Sequence, residues 1–238
     1  MRSVSIPDAV RCKVAAEPRV DAPHHPITLS FTDGVLTMEG ELADLAAKKL
    51  ALERAASVPG VDHIVDRLRV APARTMGDAE IRDHVRDLLL EEPVLQPLAR
   101  ATPSLEPGVP LRPDVVLGTI GLSVARGVVT LDGIVPSLAH KRLAGALAWW
   151  VPGVRDVVNG LEVVPPEEDD DGEISDAVRL VLEKDPLVDA SQLGVSTRRA
   201  VVTLSGVVRC GVERRAAERD AWCVFGVDGV TNHIEVRE

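Results

Sequence analysis

The sequence predicts an α+β protein of three tandem αββαβ modules, each a small mixed three-stranded sheet with two helices on one face. Three observations predict it. One phrase recurs: Asp33-Gly-Val-Leu-Thr-Met-Glu-Gly40, Arg126-Gly-Val-Val-Thr-Leu-Asp-Gly133 and Arg199-Ala-Val-Val-Thr-Leu-Ser-Gly206. Twenty residues beyond each closing glycine stands another, Gly60, Gly153 or Gly226, inside a Val-x-Gly-Val tetrapeptide. Upstream of each phrase lies Asp-x-Val-Arg followed seven residues later by proline: Asp8 to Pro18, Asp83 to Pro93, Asp176 to Pro186. Agreement at fixed spacing in three places defines an internal repeat.

Each copy opens with an amphipathic helix. In the third copy Ile174, Val178, Val181 and Leu182 fall at helical spacing and line one face. Pro18, Pro93 or Pro186 follows, where a ring without an N–H cannot continue a helix. Two strands come next, the second spanning Val35 to Met38, Val128 to Leu131 or Val201 to Leu204. Asp33-Gly34 is a good two-residue hairpin turn, and Arg126-Gly127 and Arg199-Ala200 are weaker ones. A second helix fills the gap to Val-x-Gly-Val, which ends it with a glycine tolerant of left-handed backbone. The last strand alternates through Ile64, Asp66, Leu68, Val70, then Val157, Asn159, Leu161, Val163, then Val230, Asn232, Ile234, Val236. A helix between two strands of one sheet requires a parallel crossover, while the hairpin is antiparallel.

The expected boundaries are 4–71 for the first module, 76–164 for the second, 165–173 for an acidic linker and 174–238 for the third. The second copy carries a Pro-rich insertion over 95–117, expected as a long loop. The linker alone supplies six of the negative charges behind the formal net charge of -10, so the modules are near neutral. The acidic run Glu167 to Asp171 fails as an ion-binding loop, since Val178 falls where a bidentate glutamate is needed, and is expected as a solvated spacer.

Composition narrows the function. Aromatic residues are 2% of the 238, with no tyrosine, too few to stack single-stranded nucleic acid. The net charge has the wrong sign for a polyanion binder, so no nucleic-acid partner is expected. Met1 to Val10 has no secretory signal character, and no window reaches the ~18 apolar residues of a membrane span. Cys12, Cys210 and Cys223 are odd in number without metal-ligand spacing, which favours reduced thiols in the cytoplasm. A periplasmic location would require a mis-assigned start codon.

The repeated pattern of helix, (D/x)GVVTLxG, helix and VxGVxxVxNxL resembles the BON domain, the bacterial osmotically-inducible and nodulation-associated module. The resemblance covers nearly the whole chain in three copies. It implies the αββαβ fold and a phospholipid-binding or membrane-associated role in osmotic stress or envelope maintenance. A potassium-responsive cytoplasmic relative implies monovalent-cation sensing as an alternative. The missing export signal and the lack of a lipoprotein cysteine near the start depart from the enveloped members.

The second helices carry basic pairs at matching positions, Lys48-Lys49, Lys141-Arg142 and Arg214-Arg215. These are the candidate contacts to an anionic phospholipid surface; the other reading is a solvated helix face whose aliphatic stems cover apolar surface. Trp149 and Trp222 stand at equivalent positions with Trp150 beside the first, and Ala56 stands there in the first copy. They form a candidate interaction surface for module docking or a protein partner, with a bilayer-interface seat as the alternative. Asp66, Asn159 and Asn232 interrupt an apolar row and are expected to make structural hydrogen bonds. The six histidines form no His-Glu-x-x-His or His–Cys cluster, and no G-x-S-x-G, Walker A or G-x-G-x-x-G occurs. No catalysis, cofactor or metal site is expected. The sequence therefore points to a binding module, peripheral at an anionic membrane surface or acting as a protein-interaction scaffold.

Overall fold

The computed structural model describes residues 5–100 and 118–237. It has two compact units, Met1–Ala71 and Pro72–Glu238. In the first, α1 (Ile6–Ala15) starts at Ser5, whose hydroxyl accepts the Asp8 N–H at 3.3 Å, with Pro7 in the first turn. The strands β1 (Thr28–Thr32) and β2 (Val35–Leu42) form the antiparallel hairpin, and α2 (Leu45–Ala56) follows with Asp44 as N-cap. β3 (His63–Val70) returns parallel to β2, giving the order β1-β2-β3. Val10 and Val14 from α1, Ala47, Ala51 and Ala55 from α2, and Leu36, Met38 and Leu68 from the sheet make one buried core. The alanines on α2 let that helix lie close to the strands.

The second unit holds the other two copies. The first of them comprises α3 (Asp78–Glu91), α4 (Gln96–Arg100), β4 (Thr119–Ala125), β5 (Val128–Val135), α5 (Leu138–Trp150), β6 (Asp156–Asn159) and β7 (Glu162–Val163). The second comprises α6 (Asp171–Lys184), β8 (Leu193–Arg198), β9 (Val201–Val208), α7 (Gly211–Cys223) and β10 (Gly229–Val236). Hairpin and parallel crossover recur in both. Val35 pairs with His63, Val128 with Asp156 and Val201 with Gly229, so the register is the same in every copy. The fold is the α+β array of three αββαβ modules expected from the repeat.

Four details differ from expectation. The start of the Pro-rich insertion is helical rather than a loop, because Leu95 and Leu98 are buried and anchor α4; from residue 101 to 117 that expectation lies outside the described residues. The last strand of the second module is broken at Gly160-Leu161 and resumes in the same register. Gly60 and Gly226 take positive φ, +92° and +91°, but Gly153 does not. A Cβ on Gly153 would instead meet the Met76 side chain at 2.6 Å, so close approach explains that glycine. Finally, α6 begins at Asp171, inside the segment expected as linker. Asp170 caps it, and acidic residues in its first turn suit the positive end of the helix dipole.

All three hairpins turn through two residues of positive φ: Asp33-Gly34, Arg126-Gly127 and Arg199-Ala200. That is the mirror-image turn whose twist matches the strands. Ala200, at φ +59°, bears a side chain where the other copies have glycine. Ala200→Gly is expected to stabilise the second unit by about 1 kcal/mol, since the left-handed penalty on alanine outweighs the added unfolded-state freedom of glycine. Thermal denaturation of the variant beside wild type checks this.

Candidate functional site

The helices cover one face of each sheet and leave the other open, and the open faces match. Ser30 pairs with Thr37 and Thr37 with Val65; Ser123 pairs with Thr130 and Thr130 with Val158; Ser196 pairs with Thr203 and Thr203 with Thr231. The serines and the third-strand residues are exposed and the threonines half-buried. Val158 is 49% exposed. Every module thus presents an uncharged cross-strand row of small hydroxyls ending on a valine or threonine. Sequence reading missed it, though its signal was there: the threonine of the repeated Val-Thr-Leu alternates with buried neighbours, so it must point outward.

The basic pairs do not form one surface. Lys48 is buried, with Nζ 3.0 Å from Asp66 Oδ2 and 3.1 Å from the Leu68 carbonyl. Arg142 is 0% exposed; its Nη2 meets Asp169 Oδ1 at 2.5 Å and its Nε donates to the Phe225 carbonyl at 3.0 Å. Both side chains are buried and paired rather than exposed on the helix face from which a lipid contact was expected. The cause at Lys48 is a carboxylate in the inward row of β3. At Arg142 it is the neighbouring module, which covers this face of α5. Lys49 and Lys141 are half-buried, and Lys141 Nζ sits 5.2 Å above the centre of the Phe225 ring. Arg214 and Arg215 are exposed, and Arg214 Nη2 donates to the Asn232 carbonyl at 3.3 Å.

The tryptophans divide similarly. Trp222 is buried, so it belongs to a core and not to an exposed interaction surface. Trp149 and Trp150 are half-buried. Trp150 Nε1 donates to Asp220 Oδ1 at 3.0 Å, linking α5 of the second module to α7 of the third. Lys184 on α6 meets Glu92 beyond α3 at 2.9 Å, a further tie between these modules.

The acidic segment is exposed, as a solvated spacer would be, but its carboxylates are tied to both flanking modules. Glu167 Oε2 accepts the Leu138 N–H at the start of α5, 2.7 Å away. Asp169 holds Arg142. Asp170 accepts from Gly172 and Glu173 to cap α6. Asp171 accepts the amides of Arg199 and Ala200 at the β8–β9 turn, and Asp78 accepts those of Arg126 and Gly127 at the β4–β5 turn. These backbone N–H bonds hold both carboxyls below their ordinary range. Burial pushes His140 below its usual value against the opposing charge of Glu167. Burial also drives Asp220 up to about 7, aided by a hydrogen bond with Asp185 and opposed by Arg219.

The inward polar residues of the last strands do make the expected hydrogen bonds. Asp66, Asn159 and Asn232 each accept the amide two residues on, at 2.8, 3.4 and 3.0 Å. The amides of Asn159 and Asn232 also donate to the Lys141 and Arg214 carbonyls, tying strand to helix. Among the described residues, no group of three or more His, Cys, Asp or Glu is placed to hold a metal ion, and no helix is long and apolar enough to cross a membrane.

Tandem αββαβ modules with repeated open faces define a class of multi-module binding protein. The BON domain family model matches residues 5–72, 114–165 and 170–238. The chain belongs to the BON domain family, whose module is a non-catalytic binding unit. No curated protein matches it. Among solved structures it is similar to the C-terminal domain of CdsD, a structural protein of the type III secretion system of Chlamydia trachomatis, at 12% identity over 100% of both chains with a TM-score of 0.26. A second CdsD structure from that organism matches at 12% identity over 96% of this chain and 90% of that one, with a TM-score of 0.25. At these values neither likeness carries an argument about this chain.

Proposed function

We propose that the chain is a non-catalytic scaffold that binds protein partners through the open sheet faces of its modules. The observation that carries this reading is the same Ser–Thr–Val or Ser–Thr–Thr row, with both end residues exposed, at the same register in all three copies. Small hydroxyls and exposed valines form an uncharged row on each face, and three copies on one chain raise the apparent affinity for a repetitive partner. The family resemblance implies a stress or envelope role, and such a role would be exerted through these contacts. Binding to anionic phospholipid is disfavoured, because Lys48 and Arg142 are committed inside and Arg214-Arg215 is the pair with both members exposed.

Liposome co-sedimentation tests it, with anionic and zwitterionic vesicles at low and high salt. The expected result is no anionic-selective pelleting. Photo-crosslinkers at Val65, Val158 and Val201 are expected to capture protein adducts in cells, while one at the helix-borne Val212 captures none. Anionic-selective pelleting that salt abolishes, and that Arg214→Glu with Arg215→Glu also abolishes, would overturn the scaffold reading in favour of a membrane surface.

A further inference from the structure

The joint between the second and third modules brings two buried carboxyls to one exposed cation. Asp185 caps the C-terminus of α6, and Asp220 lies on α7; both are buried. Arg219 Nη2 stands 3.0 Å from Asp185 Oδ2 and 3.3 Å from Asp220 Oδ1. Asp185 is held as an acceptor, its Oδ1 taking the Leu187 N–H at 2.8 Å. Asp220 Oδ1 takes the Trp150 indole N–H from the neighbouring module. Asp220 Oδ2 is fully buried and meets no donor among the described residues. Left as a carboxylate, that oxygen is unsatisfied beside a second negative charge; protonated, it donates to Asp185.

We propose that Asp220 and Asp185 share a proton that latches the second module onto the third, so that acidification tightens this joint and rising pH loosens it.

The surrounding groups support the assignment. From α7 itself comes Arg219, and from α6 come Asp185 and Lys184, the latter already paired with Glu92 beyond α3. From α5 comes the indole of Trp150, which carries no charge. The strands packed on α7 offer Val202, Leu204, Val208 and Ile234, all apolar, and Asn232, whose amide binds Glu218. The single guanidinium is more than half exposed, so solvent screens it and it cannot hold two carboxylates. The sign follows from the raised value of Asp220, about 7. Between the ordinary carboxylate range and that value, the closed joint retains a proton that an opened joint releases. The closing equilibrium therefore weakens about tenfold per pH unit across that window and levels off above it. The apparent value belongs to the pair.

The test follows the Trp150 indole N–H resonance and amide exchange in α5 and α7 of the full chain from pH 5 to 8. Wild type is expected to show faster exchange as pH rises, beyond the intrinsic base catalysis, with an inflection near 7. Asp220→Asn keeps an acceptor for Trp150 and a donor for Asp185 without a titrating proton, and is expected to lose that inflection. Asp185→Asn, which removes the facing charge and supplies a donor, is expected to move it to lower pH. Any pH dependence that arises elsewhere in the chain persists in Asp220→Asn and is subtracted as its baseline. A wild type without an inflection, or an Asp220→Asn chain that keeps it with Asp185→Asn unshifted, would overturn the latch.

Discussion

Arg142→Ala is expected to destabilise the second unit by about 4 kcal/mol, combining loss of a buried ion pair with loss of a large buried side chain. The guanidinium is 0% exposed and joins three elements: its own helix α5, the acidic segment through Asp169, and the turn after α7 through the Phe225 carbonyl. Removing it leaves a void and two acceptors without their donor. The cost stays below the sum of both effects because the Asp169 side chain is 43% exposed and can rehydrate. Arg142→Met restores most of the volume and is expected to cost about 2 kcal/mol, which isolates the charge. Arg142→Lys is not conservative here, since one ammonium cannot reproduce a fork that points in two directions. Denaturation followed by tryptophan fluorescence checks all three variants, and it reports the second unit alone because Trp149, Trp150 and Trp222 all lie within it. A loss under 1 kcal/mol for Arg142→Ala would mean that the joint does not depend on this residue.

Arg142 also shows where sequence reading stops. Periodicity and the fixed spacing of the repeat place the two helices and three strands of each module, though not α4, because each module's pattern is set by its own core: Leu36 and Met38, Val129 and Leu131, Val202 and Leu204 all alternate inward at the same positions. Which helix face is later covered by a neighbouring module leaves no period in the sequence. Lys49, Arg142 and Arg215 occupy the same repeat position, yet they are half-buried, buried and exposed. The only hint was chemical complementarity between a basic pair and an acidic run more than twenty residues on, each of which reads as a solvated surface when considered alone. Trp150 was legible as one of a candidate docking group, but its partner Asp220 was not. An aspartate on an amphipathic helix carries no mark of burial until the opposing helix is placed.

The joint and the open faces belong to one design. In the second unit the polar ties start from helices: Arg142 on α5 binds Asp169 of the acidic segment, Trp150 on α5 binds Asp220 on α7, and Lys184 on α6 binds Glu92 just beyond α3. The sheet faces remain outside those ties, with Ser123, Val158, Ser196 and Thr231 exposed. Docking through helices fixes the two modules to each other while leaving their matching rows free to meet a partner. The acidic residues between the modules supply ends for α5 and α6, a partner for Arg142 and a clasp on the β8–β9 turn.

Gly206→Ala is expected to cost about 4 kcal/mol, and Gly133→Ala about the same, because each combines a backbone region reserved for glycine with a steric clash. Gly206 has φ +121° and Gly133 φ +128°. A Cβ there would lie 2.1 Å from the backbone carbonyl oxygen of Gln192 or Thr119, at the start of the adjoining strand. That oxygen is backbone, so no side-chain rotation relieves the overlap; the hairpin must open. The corresponding Gly40→Ala is expected to cost about 2 kcal/mol, since Gly40 lacks the positive φ and its Cβ would be 2.7 Å from the Pro26 oxygen. The repeat thus keeps a glycine at one position for two separable reasons, backbone conformation and close approach, and only the second acts in the first module. Chemical denaturation of the three variants measures the ranking, with the first unit followed by hydrogen exchange because it has no tryptophan. Equal losses in all three would show that close approach alone sets the cost, and a larger loss at Gly40 would contradict the role given to φ.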